Sequence, residues 1–88
     1  MSAKYIHLIN DKDNVAVVIK DLPEGAKFDI FNESYIAKSF IPFGHKVAIA
    51  NIKKGEDVIK YGEVIGVATE DINIGDHVHV HNVKGMRA

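Results

Sequence analysis

One short pattern of apolar and polar positions recurs along the chain. It has the form apolar-x-x-Gly-x-x-apolar and occurs four times, at 22–28, 41–47, 52–58 and 72–78. The central glycine can take the positive φ that closes a tight turn. We therefore predict four similar turns, each leading into a short strand. Because the copies are 19, 11 and 20 residues apart, we also expect two similar halves, 22–50 and 52–82.

The segments between these turns are short and rich in Ile and Val, and each is bounded by glycine, proline or Asx residues. Such segments are typical of strands. We expect strands at 4–9, 15–20, 35–37, 46–50, 57–59, 64–68 and 77–82. No twelve-residue stretch keeps helical spacing of apolar positions without a glycine inside it. The pattern therefore predicts an all-β fold, a small module of short, highly twisted strands.

The length of 88 residues predicts a single domain. We expect an ordered core at about 4–82 and a tail at 83–88. A chain of this size buries only about 60 to 65% of the surface that its unfolded form exposes. Its own core therefore supplies little net stability, and a second protein surface is the expected source of the rest.

Composition excludes several classes of protein. The absence of cysteine removes disulfides and thiolate chemistry and favours an intracellular, cytoplasmic protein. The longest apolar run, 15–19, is far shorter than the roughly 20 residues of a membrane-spanning helix, and the N-terminus is too polar for a signal peptide. The net charge is −1, and the basic residues are ten dispersed lysines and Arg87. This distribution gives no electrostatic basis for nucleic-acid binding.

The segment from His77 to Asn82 is the richest in potential chemistry, because it contains three of the five histidines. If it is a strand, its imidazoles share one face while Val78 and Val80 point inward. Neighbouring imidazoles on that face are about 6.8 Å apart along the strand. Two of them could therefore bind one metal ion or transfer protons near neutral pH. The alternative is an exposed polar face on an edge strand.

Two other short motifs place acid, base and cationic groups beside turns. Gly44-His45-Lys46 puts an imidazole next to a lysine that could neutralise a carboxylate, and Lys60-Tyr61-Gly62-Glu63 adds a phenol. Solvated turns are the alternative for both. Calcium-loop, phosphate-loop and serine-nucleophile motifs are all incomplete in this sequence.

The order of these motifs resembles one known family, the SAF-type (β-clip) N-terminal domain of altronate and galactarate dehydratases. This domain also occurs as a separate small subunit, as in the sulfolactate sulfo-lyases. The resemblance spans residues 5–82 and is carried by four blocks, 13–17, 41–48, 59–68 and 75–82.

The resemblance implies a carbon-oxygen lyase that acts on a sugar acid. A proton leaves the carbon next to a carboxylate, and a β-substituent then departs. It also implies a divalent metal, Fe²⁺ or Mn²⁺, and a large subunit without which this chain is inactive. We expect catalytic groups at His45, His79, His81 and Tyr61, substrate-binding groups at Lys46, Lys60 and Asn82, and metal ligands at His79 and His81. His77 is expected to lie farther from the site, and the isolated chain could form a homo-oligomer.

Two alternatives to a catalytic subunit stay open from the sequence. The first is a non-catalytic SAF module that binds carbohydrate. It differs from an active-site subunit in that substitution of His79 or His81 would weaken binding without abolishing turnover. The second is a lipoyl-like carrier, but the chain has no lysine at a convincing hairpin tip. The sequence does not identify which sugar acid or sulfonate is the substrate.

Overall fold

The computed structural model describes residues 5–7 and 10–85. In this part of the chain the regular structure consists of nine strands, with no helix. The strands are β1 Ile6–His7, β2 Val15–Val18, β3 Lys27–Ile30, β4 Glu33–Ile36, β5 Lys46–Ala48, β6 Asp57–Lys60, β7 Glu63–Ala68, β8 His77–Val78 and β9 Val83–Gly85. The all-β prediction is confirmed. None of the described residues forms a helix that could cross a membrane.

The strands form three small antiparallel sheets. The largest has the order β1-β2-β5-β8, the second is the β3-β4 hairpin, and the third has the order β6-β7-β9. Strand β5 is therefore central in the largest sheet, between β2 and β8. This position matters for function, because β5 and β8 begin at or beside histidines.

The four predicted turns are present and share one geometry. Their glycines, Gly25, Gly44, Gly55 and Gly75, have φ values of 83°, 88°, 91° and 93°. In each turn the residue after glycine donates its N–H to the carbonyl two residues before glycine, at 2.9 to 3.0 Å. A positive φ at the third position is the condition for which glycine is selected in a type II turn.

The turns associate in pairs, which confirms the two predicted halves. Leu22 bridges Ile41 and Ile52 bridges Ile72, each pair exchanging two backbone hydrogen bonds of 2.7 to 2.9 Å. All four side chains are buried. Each pair belongs to its own hydrophobic cluster. Strands β2 and β5 contribute to both clusters and so join the halves.

Two sequence predictions require correction. The strand predicted at 77–82 ends at Val78, and residues 79–82 form a turn. Val80 is consequently 82% exposed instead of pointing inward. Residues 83–85, predicted as part of a tail, form β9 and pair with β7. Of the strand predicted at 4–9, Ile6–His7 form β1 and residue 5 precedes it, while 4, 8 and 9 lie outside the described residues.

Candidate active site

The pairing of β5 with β8 brings the first two histidines together. Val47 of β5 is opposite His77 of β8, and His45 is separated from Val47 only by Lys46. Both backbone groups of His45 are hydrogen bonded, its N–H to Pro42 and its carbonyl to the Val18 N–H. The ring nitrogens His45 Nδ1 and His77 Nε2 are 2.8 Å apart, which is hydrogen-bond distance.

The third histidine is positioned by an asparagine turn. The Asn82 Oδ1 atom accepts the His79 N–H at 2.9 Å, and Asn82 Nδ2 donates to the His77 carbonyl at 2.9 Å. The His79 carbonyl accepts the backbone N–H groups of Asn82 and Val83. These bonds turn the chain back after β8 and place the His79 ring 4.1 Å from the His45 ring, centroid to centroid.

Asn82 therefore has a structural role on this chain. Its side chain is 3% exposed, and both ends of its amide are bonded to the backbone of its own turn. The predicted hydrogen bond from this amide to a substrate hydroxyl stays a prediction. Short polar side chains often replace extended structure with such local bonds, which is also why the predicted strand ends early.

We refer to His45, His77 and His79 as the imidazole cluster. Each offers a ring nitrogen within 4.8 Å of the others, and the three rings are inclined to one another by 9° to 23°. The exposed His81 lies beside the cluster, with its ring centroid 5.3 Å from that of His77. The structure thus groups His79 with His45 and His77, whereas the predicted metal pair was His79 and His81. The turn at 79–82 is the reason, because alternation along a strand does not apply there.

Two members of the cluster, His77 and His79, favour the neutral imidazole. Burial lowers the pKa of His77, and the nearby charges of His45, His81, His79 and Lys46 lower it further. The pKa of His79 is lowered by burial and then by the charges of His45, Lys46 and His81. The His45–His77 hydrogen bond also requires that one of its two nitrogens carry no proton. Neutral rings have the lone pairs that metal binding or proton acceptance needs.

A cavity of about 320 Å³ adjoins the cluster. We call it the lysine cavity, and its lining residues are Lys46, Lys60, Ile65, Val78, His79, Val80, Val83 and Gly85. Lys46 has a lowered pKa, first because it is partly buried and second because of the charge of Lys60. Two cations thus share a cavity whose walls are otherwise mostly aliphatic. An anionic group is the complementary ligand.

Tyr61 does not line this cavity. It lies in the turn between β6 and β7, with φ of 54°, and its side chain is exposed. The Lys60 Nζ atom is 5.2 Å from the centroid of the Tyr61 ring, within cation-π range. The Tyr61 ring therefore contacts a cavity residue from outside the cavity. The geometry of this chain alone does not support a direct catalytic contact by the phenol.

Comparison with known proteins identifies the family. The model of the altronate/galactarate dehydratase SAF domain matches residues 3–86. The chain belongs to this family. It is 41% identical over 76 residues to altronate dehydratase of Bacillus subtilis and 45% identical over 76 residues to that of Escherichia coli, covering 86% of this chain in both cases. It is also 53% identical over 51 residues to the (2R)-sulfolactate sulfo-lyase subunit alpha of Paracoccus pantotrophus.

The match covers a different share of the length of each relative. The matched segment is 15% of the length of either altronate dehydratase. In the sulfo-lyase subunit the match covers 76% of the relative and 58% of this chain. The predicted family is confirmed.

Within this SAF domain, the structure brings four of the predicted site residues together, along with one that was expected to lie apart. His45, Lys46, Lys60 and His79 all lie at the cluster or the cavity. His77 was expected to be more distant, yet it is hydrogen bonded to His45. One sequence signal could have placed His77 beside His45. Each of the two follows a glycine turn, and equivalent turns direct paired strands toward one another. The contribution of β9 to the cavity, through Val83 and Gly85, had no local sequence signal.

Proposed function

We propose that this SAF domain is the small subunit of a metal-dependent hydro-lyase that acts on a sugar acid. The reaction is abstraction of the α-proton followed by β-elimination, and a separate large subunit completes the site. The family supports the lyase class. The observation that carries the proposal is that three clustered imidazoles adjoin a cavity with two lysines.

The two lysines bind the substrate carboxylate. Lys46 on β5 and Lys60 at the end of β6 line one cavity and repel each other. This repulsion is relieved when an anion lies between them. Fixing the carboxylate there holds the adjacent α-carbon close to His79, which lines the same cavity. Positioning of this kind is a large part of catalytic rate enhancement.

The imidazole cluster fits the divalent metal that the family resemblance implies. Three nitrogen donors within 4.8 Å of one another match the three-ligand sets of catalytic metal sites, which keep a position open for substrate. His45, His77 and His79 would hold the ion. A bound dication supplies positive charge that stabilises the enediolate formed when the α-proton leaves.

Proton transfer on this chain is assigned to His81. It lies beside His77 but outside the group of three candidate ligands, and it is exposed. The α C–H bond breaks and gives its proton to a base, the electrons form a C=C bond, and the β C–O bond breaks. The departing hydroxyl takes a proton and leaves as water, and the resulting enol tautomerises to a 2-keto-3-deoxy acid.

A partner surface is required because this chain supplies only part of such a site. The residues lining the cavity include cations, aliphatic groups and one imidazole, with no acidic side chain. Val80 extends from the rim almost fully exposed. A polyol acid needs hydrogen-bonding groups along its length and exclusion of water. The large subunit provides both in this proposal.

A domain graft tests the proposal. The 76-residue segment of Bacillus subtilis altronate dehydratase that matches this chain is replaced by the corresponding residues of this chain. The native segment, put back through the same junctions, is the control. We expect the graft to dehydrate altronate, while the chain alone and the enzyme without the segment do not. Altronate turnover by the isolated chain would contradict the proposal. It would also be contradicted if grafts into both the Bacillus and the Escherichia coli enzymes fold like their controls but are inactive.

The graft also separates catalysis from carbohydrate binding. If the domain only binds sugar acids, substitution of His79 or His81 raises KM and leaves kcat unchanged. If these groups belong to the active site, kcat falls.

A further inference from the structure

We propose that His45, His77 and His79 bind one divalent metal ion on this chain without the large subunit, and that Lys46 and Lys60 make this binding depend on an anion. The inference rests on the proposed function, because it concerns the same site. It addresses which metals this chain binds by itself and how an anion changes their affinity.

All three ligands are nitrogens, and this composition determines which metals bind best. Among the described residues, the groups of three or more candidate ligands comprise these three histidines alone, and the cavity beside them has no acidic lining residue. The carboxylate of Asp76, the residue before His77, already accepts the Asn73 N–H at 2.7 Å. Imidazole suits Fe²⁺, Co²⁺, Ni²⁺ and Zn²⁺, whereas Mn²⁺ and Mg²⁺ prefer oxygen ligands. The all-nitrogen ligand set therefore predicts stronger binding of Co²⁺ than of Mn²⁺.

The backbone around the three histidines is fixed by this chain alone. The N–H and carbonyl of His45 and of His79 are all hydrogen bonded within the chain. His77 lies on β8 in the register of β5, and its carbonyl accepts the Asn82 amide. A preformed set of ligands needs little ordering when the ion binds. The chain should therefore bind metal before any large subunit is present.

The lysine cavity opposes the charge of the ion. Lys46 follows His45 directly and is paired with Val78, between His77 and His79. A dication at the cluster is repelled by the ammonium groups of Lys46 and Lys60. An anion in the cavity neutralises them, so each ligand strengthens the binding of the other by the same factor. For one ammonium group several ångströms from a dication, the effect in water is on the order of fivefold.

Calorimetric titration of the isolated chain tests the inference, with Co²⁺ as the probe metal and its visible absorption as a second readout of the ligand set. We expect one Co²⁺ per chain and at least a hundredfold weaker binding of Mn²⁺. Replacing chloride by sulfate at constant ionic strength should tighten Co²⁺ binding about fivefold. Lys46→Met should tighten Co²⁺ binding without sulfate by a similar factor and reduce the effect of sulfate.

Matched histidine variants locate the metal. His77→Ala, His77→Gln and His79→Ala should each weaken Co²⁺ binding at least a hundredfold, with the fold checked by circular dichroism. His81→Ala and His7→Ala should leave it unchanged, since His81 is outside the ligand group and His7 is on β1, two strands from β5. The inference is overturned by equal binding of Mn²⁺ and Co²⁺, by loss of Co²⁺ binding in His81→Ala or His7→Ala alone, or by no response to sulfate. An inactive graft with this metal and anion binding intact would instead refute the lyase proposal and leave the inference standing.

Discussion

At the scale of single residues, Asn82 determines the shape of the site. Its amide is the link that ends β8 and directs His79 toward His45. The sequence shows a polar residue at this position. It does not show which backbone groups the amide bonds, because those hydrogen bonds form only when the chain turns back. The residue types of the site were therefore predictable from the sequence. Which imidazoles lie together was not, because their grouping depends on the turn at 79–82.

We predict that Asn82→Ala lowers the free energy of unfolding by about 2 to 3 kcal/mol. The substitution removes two buried hydrogen bonds of roughly 1 kcal/mol each and leaves the His79 N–H without its acceptor. Urea unfolding measures the change. Asn51→Ala is the matched control, because Asn51 is exposed and accepts one N–H, that of Ile74; its cost should be below about 1 kcal/mol. Equal stability of Asn82→Ala and the unsubstituted chain would refute the structural role of this amide.

The protonation of His77 should make stability depend on pH. Its pKa in the folded chain lies below the ordinary value of 6.5, so the unfolded chain binds more protons as pH falls through that value. Stability is then fully present above about pH 6.5 and decreases below it. The groups facing His77 are His45, His79, His81 and Lys46, and each protonated neighbour strengthens the effect.

We expect His77→Gln to reduce the loss of stability between about pH 7.5 and 5.5, measured by urea unfolding at each pH. His7→Gln serves as the control and should keep the dependence that His77 causes, since His7 is on β1, two strands from β5. Parallel pH profiles for His77→Gln and the unsubstituted chain would show that His77 is not the titrating group.

At the scale of strands and turns, the glycine pattern was the most informative part of the sequence. Four local turns were predictable because each depends on one residue with positive φ. The last strand was not, because β9 is formed by pairing with β7, which is distant in sequence. Short segments such as 83–85 carry too few residues to show alternation. The tail prediction failed there for that reason.

Gly66 of β7 should be essential for the docking of β9. A Cβ atom at this position would lie 2.8 Å from Val83 Cγ1 and still closer to the Lys84 carbonyl oxygen. We predict that Gly66→Ala costs about 1 to 3 kcal/mol of stability and speeds amide hydrogen exchange at 83–85. Val64→Ala, at a more exposed position of β7, is the control and should leave that exchange unchanged. Unchanged exchange in Gly66→Ala would mean that β9 is not held in the described position.

At the scale of the whole molecule, two similar halves join through β2 and β5, and the site lies where β5 meets β8. The pseudo-symmetry was predictable from the spacing of the four turns. The family was also predictable, because several motifs occur in one order. The lysine cavity was not, because it combines residues of β5, β6, β7, β8, the turn at 79–82 and β9.

The central claim is that the imidazole cluster and the lysine cavity form this chain's share of a lyase active site. Its most direct test is the kcat for altronate in the grafted enzyme, measured for His77→Gln, His79→Gln and Lys46→Met against His7→Gln. The account predicts that the first two lower kcat at least a hundredfold, that Lys46→Met lowers kcat/KM at least tenfold, and that His7→Gln stays within about twofold of the unsubstituted graft. Unchanged kcat in both cluster variants, with the graft folded and active, would contradict it.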